Sequence, residues 1–198
     1  GVHIADVSHY VPPGTAMDTE AFRRGTSVYV LGSVISMLPE PLSSNRCSLM
    51  PSVPRRTMSV VWHMNDEGRI YHGEPGVPNI WIGRGVIRSH AKLAYRQAQD
   101  LIDAVGGTDG VLEPSRAHAV LPGLQPDVCV RVAAALHRMH IMSQHLRAHR
   151  YATGAVSLGS LDLWFERDAD RNVVGCRPYE MLPSNLMIQE LMILANKS

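Results

Sequence analysis

Carboxylates are the side chains of this sequence that could support acid–base or metal chemistry. Asp6 is the one charge in an apolar run near the start of the chain, and two closer pairs follow, Asp66 with Glu67 and Asp168 with Asp170. Hydrolysis of a phosphodiester with paired Mg²⁺ needs several carboxylates within a few ångströms, because hard cations prefer oxygen ligands. Both pairs fall in predicted hairpin turns, where solvated acidic residues are common. Asp6, in contrast, lies in an apolar run, and a carboxylate there needs a polar partner. It either orients a neighbouring reactive group or makes a buried structural hydrogen bond.

A long predicted helix over 127–150 concentrates imidazole and guanidinium groups. Its four histidines and four arginines are His137, His140, His145, His149, Arg131, Arg138, Arg147 and Arg150. Histidines three or four residues apart could bind zinc, but no cysteine or carboxylate completes a tetrahedral set. A basic solvated face is the first interpretation, and a track for nucleic-acid phosphates is the alternative. The opposite, core-facing side is predicted to be the apolar stripe of Val132, Ala135, Leu136, Met139, Met142 and Leu146.

The overall composition is that of an ordinary globular protein. The chain has 198 residues, of which 45% are hydrophobic and 19% charged, so it is long enough to bury the core of one domain. Its net charge of +1 creates no strong overall field. Binding to a nucleic acid would therefore depend on local patches, for which the candidates are Arg55, Arg56, Arg84 and Arg88.

The cysteines indicate a reducing compartment. Cys47, Cys129 and Cys176 are far apart and odd in number, which argues against a disulfide framework or a zinc site. No apolar run approaches the length of a membrane-spanning helix, and no signal-peptide pattern opens the sequence. Because Gly1 falls inside a predicted strand, we expect the chain to be a part of a longer protein.

Hydrophobic periodicity and turn residues predict the elements that must position these side chains. Strands are predicted over 2–7, 27–31, 57–64, 80–89, 161–166 and 173–179, with turns at 65–68 and 168–172. Helices are predicted over 19–24 after Asp18, 95–104, 127–150, and 185–196 after a capping Ser184. Prolines make 38–54 an ordered loop, and glycines and prolines make 105–125 a flexible loop.

Several short motifs, taken in order along the chain, resemble the RNB family of exoribonucleases. They are GVHIADVSHYV at 1–11, TSVY at 26–29, LPEPLSSNRCSL at 38–49, IRSHAKLAYRQAQ at 87–99 and GCRPYEMLPSNLMIQELMILAN at 175–196. The eukaryotic branch of the family fits best. The resemblance implies an α+β fold with a mixed, largely antiparallel sheet packed with helices, of which 1–198 is the central part of the catalytic domain.

The resemblance implies hydrolysis of single-stranded RNA from its 3′ end to nucleoside 5′-monophosphates with Mg²⁺. The family's metal-binding aspartates are expected upstream of Gly1 and its arginine-rich motif downstream of Ser198, so this chain alone is predicted to be inactive. A non-catalytic RNB-like scaffold or RNA-binding component is the alternative. Single-stranded RNA and an exosome-like complex are the expected partners, without a membrane, inside the cell in the cytoplasm, the nucleus or an organelle.

Five residues match positions that hold RNA in the family. Tyr29 would stack on the base at the 3′ end, although without the resemblance it reads as a core strand residue. Leu158 takes the place of an opposing aromatic, and simple packing is its alternative role. Tyr95 would read the 2′-hydroxyl of the terminal ribose, with capping of a hydrophobic edge as its alternative. Gln189 and Glu190 occupy a Glu-Glu pair, and the neutral Gln189 brings no charge to the ribose.

Overall fold

The protein was analysed as a computed structural model, which describes residues 1–30, 33–65, 67–71, 79–105, 114–158, 163–170 and 172–198. Its strands and helices form an α+β arrangement, as the sequence predicted. The chain divides into two compact units. Unit 1 contains Gly1–Val61 and Trp81–Lys92, and unit 2 contains Trp62–Ile80 and Leu93–Ser198. Within the described ranges, no helix combines the length and apolar character needed to cross a membrane.

Unit 1 is built around a sheet with the strand order β1 (Val2–Ala5), β4 (Pro54–Trp62) and β5 (Ile80–Arg88). Strand β1 pairs antiparallel with β4, which places His3 opposite Ser59. The sequence predicted all three strands, with ends that differ by at most three residues. Period-2 alternation explains this success, since each strand directs successive side chains to opposite faces.

The buried face of this sheet is polar. The hydroxyls of Thr57 and Ser59 are buried and lie 2.8 Å apart, and Ser59 Oγ lies 2.8 Å from His3 Nδ1. Gly85 lies close to both hydroxyls. A Cβ atom at this position would be 3.5 Å from Thr57 Oγ1 and 3.8 Å from Ser59 Oγ. A chain of hydrogen bonds therefore satisfies these groups in place of apolar packing.

Helix α1 (Ala16–Arg24) begins earlier than the sequence predicted. Thr15 is the N-cap and accepts a hydrogen bond from the Asp18 amide at 3.3 Å, so the prediction that Asp18 precedes the helix was wrong. Asp18 lies in the first turn and its carboxylate accepts from the Gly14 amide at 2.9 Å. Gly25, with φ +70°, ends the helix as predicted.

A two-stranded hairpin follows α1 in unit 1. Strand β2 (Val28–Val30) was predicted, but its antiparallel partner β3 (Ser33–Ile35) was not. Pairing with β2 stabilises this three-residue segment, which is too short to show a periodic pattern of its own. The segment 38–54, predicted as a loop, contains a single short helix at Pro41–Arg46.

Four helices form the larger part of the described residues of unit 2. They are α2 (Tyr95–Ala104), α3 (Pro114–Val120), α4 (Pro126–Ala152) and α5 (Pro183–Lys197). Helix α3 lies inside the predicted flexible loop 105–125, so that prediction was wrong for its seven residues. Ala117 and Leu121 are buried where α3 packs on α4, and this tertiary contact favours a helix in spite of the flanking glycines and prolines. Residues 106–113 of the predicted loop lie outside the described residues.

Helix α4 buries a different face from the one predicted. Its buried side chains are Cys129, Ala133, Leu136 and Ser143, of which only Leu136 belongs to the predicted stripe. The methionines of the stripe are partly exposed. Ala133 and Ser143 are small, so neighbouring helices can approach closely at those positions, which a hydrophobicity pattern does not reveal.

A second hairpin and the closing helix complete unit 2. Strand β6 (Leu163–Arg167) pairs antiparallel with β7 (Val173–Pro178), as predicted, and positions 161–162 lie outside the described residues. Helix α5 begins at Pro183, so the prediction that Ser184 is its cap was wrong. Ser184 is buried in the first turn, donates from Oγ to the Tyr95 carbonyl at 2.8 Å, and ties α5 to the start of α2.

Candidate nucleic-acid interface

Tyr29 is an exposed residue of the β2–β3 hairpin. It lies opposite Val34 and is 80% exposed, so the interpretation of Tyr29 as a core residue does not hold in unit 1. Val28, Val30 and Ile35 around it are also exposed. The exposure of the Tyr29 ring leaves it open to a planar partner. Stacking on an RNA base stays a prediction for this residue.

Asp6 follows β1 and makes the buried hydrogen bond that was expected of it. The carboxylate is 5% exposed, accepts from Ser8 Oγ at 2.7 Å, and has Arg84 Nε at 3.4 Å. The hydrogen bond from Ser8, helped by the charge of Arg84, holds the pKa of Asp6 below its ordinary value although burial acts in the opposite direction. Any indirect role of Asp6 in catalysis stays a prediction.

The other candidate phosphate-binding arginines of unit 1 differ in availability. Arg55 donates from Nε to the Ser48 carbonyl at 3.0 Å and from its guanidinium to Asn45 Oδ1 at 3.0 Å, so it holds the preceding loop against β4. Arg56 and Arg88 are exposed and, among the described residues, belong to no ion pair. Of the four candidates, these two combine exposure with guanidinium groups that have no ion-pair partner in the described part of the chain, which leaves them for a phosphate.

Tyr95 and Gln189 lie on the two helices of unit 2 that Ser184 joins. Tyr95 is the first residue of α2 and its side chain is 47% exposed, while Gln189 is exposed on α5. Ser184 also donates its amide to Gln99 Oε1 at 2.9 Å, which adds a second bond between α2 and α5. Among the described residues, no hydrogen bond joins the Tyr95 hydroxyl to Gln189. Their predicted cooperation at a ribose therefore stays a prediction.

Glu190 has a structural contact that the sequence analysis did not anticipate. Its carboxylate is 3% exposed and accepts two hydrogen bonds from Arg150, one from Nε at 3.0 Å and one from a second guanidinium nitrogen. Arg147 Nη1 lies 3.6 Å from Glu190 Oε1. Arg150 and Arg147 also lie over the Tyr151 ring, at 4.9 and 5.0 Å from its centroid. Hydrogen bonding to Glu190 raises the pKa of Arg150. This group ties α4 to α5.

The basic face predicted for α4 is only partly solvated. Arg131 and Arg138 are exposed, but Arg150 binds Glu190. His137 and His140 are half-buried, and their Nδ1 atoms have no hydrogen-bond partner among the described residues. The interpretation of the whole face as solvated was therefore wrong. The face is shared between water and the packing of neighbouring helices.

The described residues do not provide a metal site. No three histidine, cysteine, aspartate or glutamate side chains among them come together in a way that could hold an ion. The same residues do not fit an Mg²⁺ site, and Asp66 lies outside the described residues.

Leu158, after α4, is 90% exposed. This exposure does not favour simple packing on the described residues, and an apolar contact with a base stays a prediction. Glu67 and the pair Asp168 and Asp170 lie in turns, where Asp168 accepts from the Asn172 amide at 2.8 Å. These acidic residues behave as the predicted solvated turn residues.

An aromatic groove in unit 2 was missed by the sequence analysis. It has a volume of about 260 Å³ and is lined by Tyr95, Arg96, Trp164, Arg177 and Tyr179, together with Glu180 and Leu182. The alternation of the predicted strands could have placed Trp164 and Glu166 on one face of the hairpin. The cross-strand register, which puts Arg177 opposite Trp164, could not be read from the sequence.

Comparisons with known proteins agree on one family. A model described as the RNB domain matches residues 1–198. The protein named DIS3-like exonuclease 2 from Xenopus tropicalis is 38% identical over 198 residues, which are 99% of this chain and 22% of that protein. The Exosome complex exonuclease RRP44 of Mus musculus is 34% identical over 199 residues, 100% of this chain and 18% of that protein.

A third relative carries a different functional description. The Arabidopsis thaliana protein named Inactive exonuclease DIS3L2 is 38% identical over 200 residues, 99% of this chain and 17% of that protein. The chain thus spans about a fifth of the length of these relatives, between 17% and 22%. This identity equals that of the Xenopus tropicalis relative, so identity in this region does not distinguish a relative named an exonuclease from one named inactive.

The fold is shared with a solved bacterial structure. Mycoplasma genitalium RNase R in complex with ribose methylated single-stranded RNA superposes with a TM-score of 0.77 at 24% identity, covering 98% of this chain and 26% of that one. At this identity the match supports the fold alone. It agrees with the predicted α+β arrangement.

Proposed function

This chain belongs to the RNB domain family, and on that basis we propose that its parent protein is a 3′→5′ exoribonuclease acting on single-stranded RNA. The products would be nucleoside 5′-monophosphates. The match of the RNB domain over all 198 residues carries the proposal. The exposed rings of Tyr29 and Tyr95 support it, because aromatic faces stack on any base and so permit degradation without sequence preference.

Mg²⁺ is the proposed cofactor of the parent protein. Mg²⁺ requires hard oxygen ligands. Among the described residues, no three His, Cys, Asp or Glu side chains come together in a way that could hold it. The ligands would come from other parts of the parent, since the chain spans only 22% of the relative from Xenopus tropicalis. When bound, the metal would activate water and stabilise the charge on the phosphate. The isolated chain is accordingly expected to bind RNA without cutting it.

The proposed partners are RNA and, for the parent, an exosome-like complex inside the cell. The second part rests only on the name of the RRP44 relative, which refers to the exosome complex. Copurification of exosome subunits with the parent protein tests it.

Incubation of the parent protein with single-stranded RNA labelled at its 5′ end tests the activity. We expect metal-dependent shortening to a small final product, while a label at the 3′ end is released at once as a nucleoside 5′-monophosphate. Internal fragments would contradict the exonuclease proposal. The isolated 198-residue chain is the matched control, and repurified chain that still shortens the RNA would contradict the placement of the metal ligands outside it.

Tyr29→Ala in the parent tests the proposed stacking residue. Loss of one base–aromatic stack should weaken binding of short oligomers by about 1–3 kcal/mol and increase the size of the final product. The melting temperature should not change, because the side chain is exposed. Val34→Ala, which changes the residue opposite Tyr29, is the control for damage to the hairpin. Equal effects of the two variants would assign Tyr29 a structural role.

Gln189→Glu tests the proposed reading of the ribose. A charge-assisted hydrogen bond is roughly twice as strong as a neutral one, so the variant should raise the preference for RNA over DNA by about 1 kcal/mol. The effect should disappear when Tyr95 is also changed to Phe. Cleavage rates on matched oligomers ending in a ribo- or a deoxyribonucleotide measure this. An effect that persists without the Tyr95 hydroxyl would separate the two residues.

A non-catalytic RNB-like scaffold or RNA-binding component is the second candidate function. It is favoured by Gln189, which removes a charge from the pair expected at the ribose, and by the Arabidopsis thaliana relative with an inactive description. In that case the parent protein binds single-stranded RNA and leaves its length unchanged with any divalent metal. The same labelled RNA assay distinguishes the two candidates.

A further inference from the structure

The aromatic groove of unit 2 combines three exposed rings on a defined framework. Trp164 is 50% exposed and Tyr179 39% exposed, with ring centroids 6.4 Å apart and planes inclined by 36°. Tyr95 lines the same groove. Large aromatic side chains normally stabilise a fold by burial, and their exposure together in one concave site is a feature of binding surfaces.

The hairpin holds this surface in place. Trp164 and Arg177 are cross-strand partners and therefore lie on one face of the β6–β7 ribbon. Arg177 Nε binds Glu166 Oε1 at 3.1 Å on that face. Gly175 leaves room for this contact, since a Cβ at that position would be 3.0 Å from Glu166 Oε2.

The Tyr179 ring is held from the other side. Asn185 Nδ2 on α5 donates to its hydroxyl at 3.3 Å, so the ring is connected to the closing helix. Phe165 occupies the opposite face of the ribbon, opposite Cys176. The two faces of the hairpin are thus chemically distinct, and only one of them belongs to the groove.

The charges in the groove favour a base over a phosphate as the ligand group. Arg96 binds Asp100 at 3.1 Å and Arg177 binds Glu166, while Glu180 adds another negative charge to the lining. The acidic groups therefore offset the arginines, and little net attraction for a phosphate remains. The aromatic faces, in contrast, are available to any planar base.

We propose that this groove is a stacking site for a base of single-stranded RNA, with Trp164 as the platform. The proposal rests on the proposed function and adds a base contact beside the ribose contact predicted for Tyr95, which lines the same groove. Because the Trp164 and Tyr179 rings already contact each other, the base lies on the exposed face of Trp164 and not between the rings. The site has no sequence preference, since every base has such a face.

The test measures binding of a fluorescent oligoadenylate to the parent protein in EDTA, which prevents metal-dependent cleavage. Trp164→Ala is expected to weaken binding about tenfold, the loss of one base–aromatic stack. Trp164→Phe retains a ring and should keep most of the affinity. Phe165→Ala is the matched control on the opposite face and should bind as wild type. The tenfold loss should persist as salt is raised, because stacking releases no counterions.

Photo-crosslinking locates the contact directly. RNA that contains 5-iodouridine should crosslink to the peptide with Trp164 or to the peptide with Tyr179. The proposal is overturned if neither peptide crosslinks and Trp164→Ala binds RNA as wild type but melts at a lower temperature. Those results would show that another protein segment fills the groove. Equal affinities of Trp164→Ala and Phe165→Ala would overturn it as well.

The labelled RNA assay keeps the two proposals separable. If the wild-type parent shortens RNA and Trp164→Ala binds normally, the groove proposal fails and the proposed function stands. If the parent binds RNA through Trp164 without shortening it, the groove stands and the exonuclease proposal fails. If the parent neither binds nor shortens RNA, both proposals are overturned.

Discussion

Two buried carboxylates, Asp6 in unit 1 and Glu190 in unit 2, each lie beside an arginine, but their surroundings differ. Arg84 beside Asp6 is 70% exposed and its Nε is 3.4 Å away, while Arg150 beside Glu190 is 19% exposed and binds through two nitrogens. Asp6 depends chiefly on Ser8, a neighbour in sequence, whereas Glu190 depends on a residue forty positions away.

This difference separates a local hydrogen bond from a tertiary one. The contact of Asp6 with Ser8 forms within one short turn, and the exposed Arg84 side chain can move away from Asp6 at little cost. The contact of Glu190 with Arg150 exists only when α4 and α5 pack together, and breaking it leaves a charge out of water. Glu190 is therefore expected to matter more for stability, and Arg84 to be freer for other partners.

The largest effect is expected for Glu190→Ala. Removing one partner of a buried ion pair typically costs about 3–5 kcal/mol, and we expect the lower end because Arg150 keeps some access to water. Urea unfolding of the chain measures the change. Gln189→Ala, at the exposed neighbouring position, is the control and should stay within about 0.5 kcal/mol of wild type. Similar losses for both variants would contradict the assignment of Glu190 to the structural clamp.

A smaller, pH-dependent effect is expected for Asp6→Asn. The folded-state pKa of Asp6 lies below its ordinary value of about 3.9. The ionised Asp6 side chain therefore contributes fully to the free energy of unfolding above that pH, and this contribution is lost as the pH falls through the folded-state pKa. The variant should lose this part of the acid dependence of the free energy of unfolding. Ser8→Ala should reproduce much of the effect, since Ser8 is the main cause of the lowered pKa. An unchanged acid profile in both variants would refute the pairing.

His140 extends the comparison to a half-buried group that belongs to no ion pair among the described residues. Burial and then the charge of His137 lower its pKa, against the attraction of Asp103, and Gln144 Nε2 donates to its Nε2 at 3.0 Å. In the unfolded state His140 binds a proton near its ordinary pKa of about 6.5, whereas in the folded state it binds one only at a lower pH. The free energy of unfolding therefore falls as the pH drops below about 6.5. His140→Gln should reduce this slope in urea unfolding at several pH values, and an equal slope would show that His140 does not cause it.

The smallest effect is expected for Arg84→Ala. Exposed ion pairs contribute about 0–1 kcal/mol, and Asp6 keeps its hydrogen bond from Ser8. The melting temperature should therefore hardly change. Arg150→Ala, measured in parallel, should lose several times more stability because it leaves Glu190 buried without its partner. Equal losses for the two arginine variants would remove the distinction between the two carboxylates.

Local patterns predicted most elements of the fold. Helix α2 begins and ends at the predicted residues, and strands β4 to β7 lie within a few residues of their predicted ends. These segments have clear periodicity and are bounded by turn residues. Strand β3 and helix α3 were missed because each is short and is stabilised by a neighbouring element, β2 in one case and α4 in the other.

The candidate site was predictable only in part. Ordered motifs across the chain identified the family and, through it, the exposed Tyr29, Tyr95 and Leu158. The engagement of Glu190 by Arg150 and the position of Trp164 beside Tyr179 were not predictable, because each joins residues that are distant in the sequence.

The sequence by itself determined the RNB family and the α+β class, and it supplied the residues proposed for contact with RNA. Periodicity, caps and motif order are properties of short segments, so they can be read without coordinates. Only the tertiary structure decided which face of α4 is buried, which carboxylate is clamped and which aromatic rings share a groove. These depend on helix packing and strand register, where a rotation or a shift of one residue changes every neighbour of a side chain.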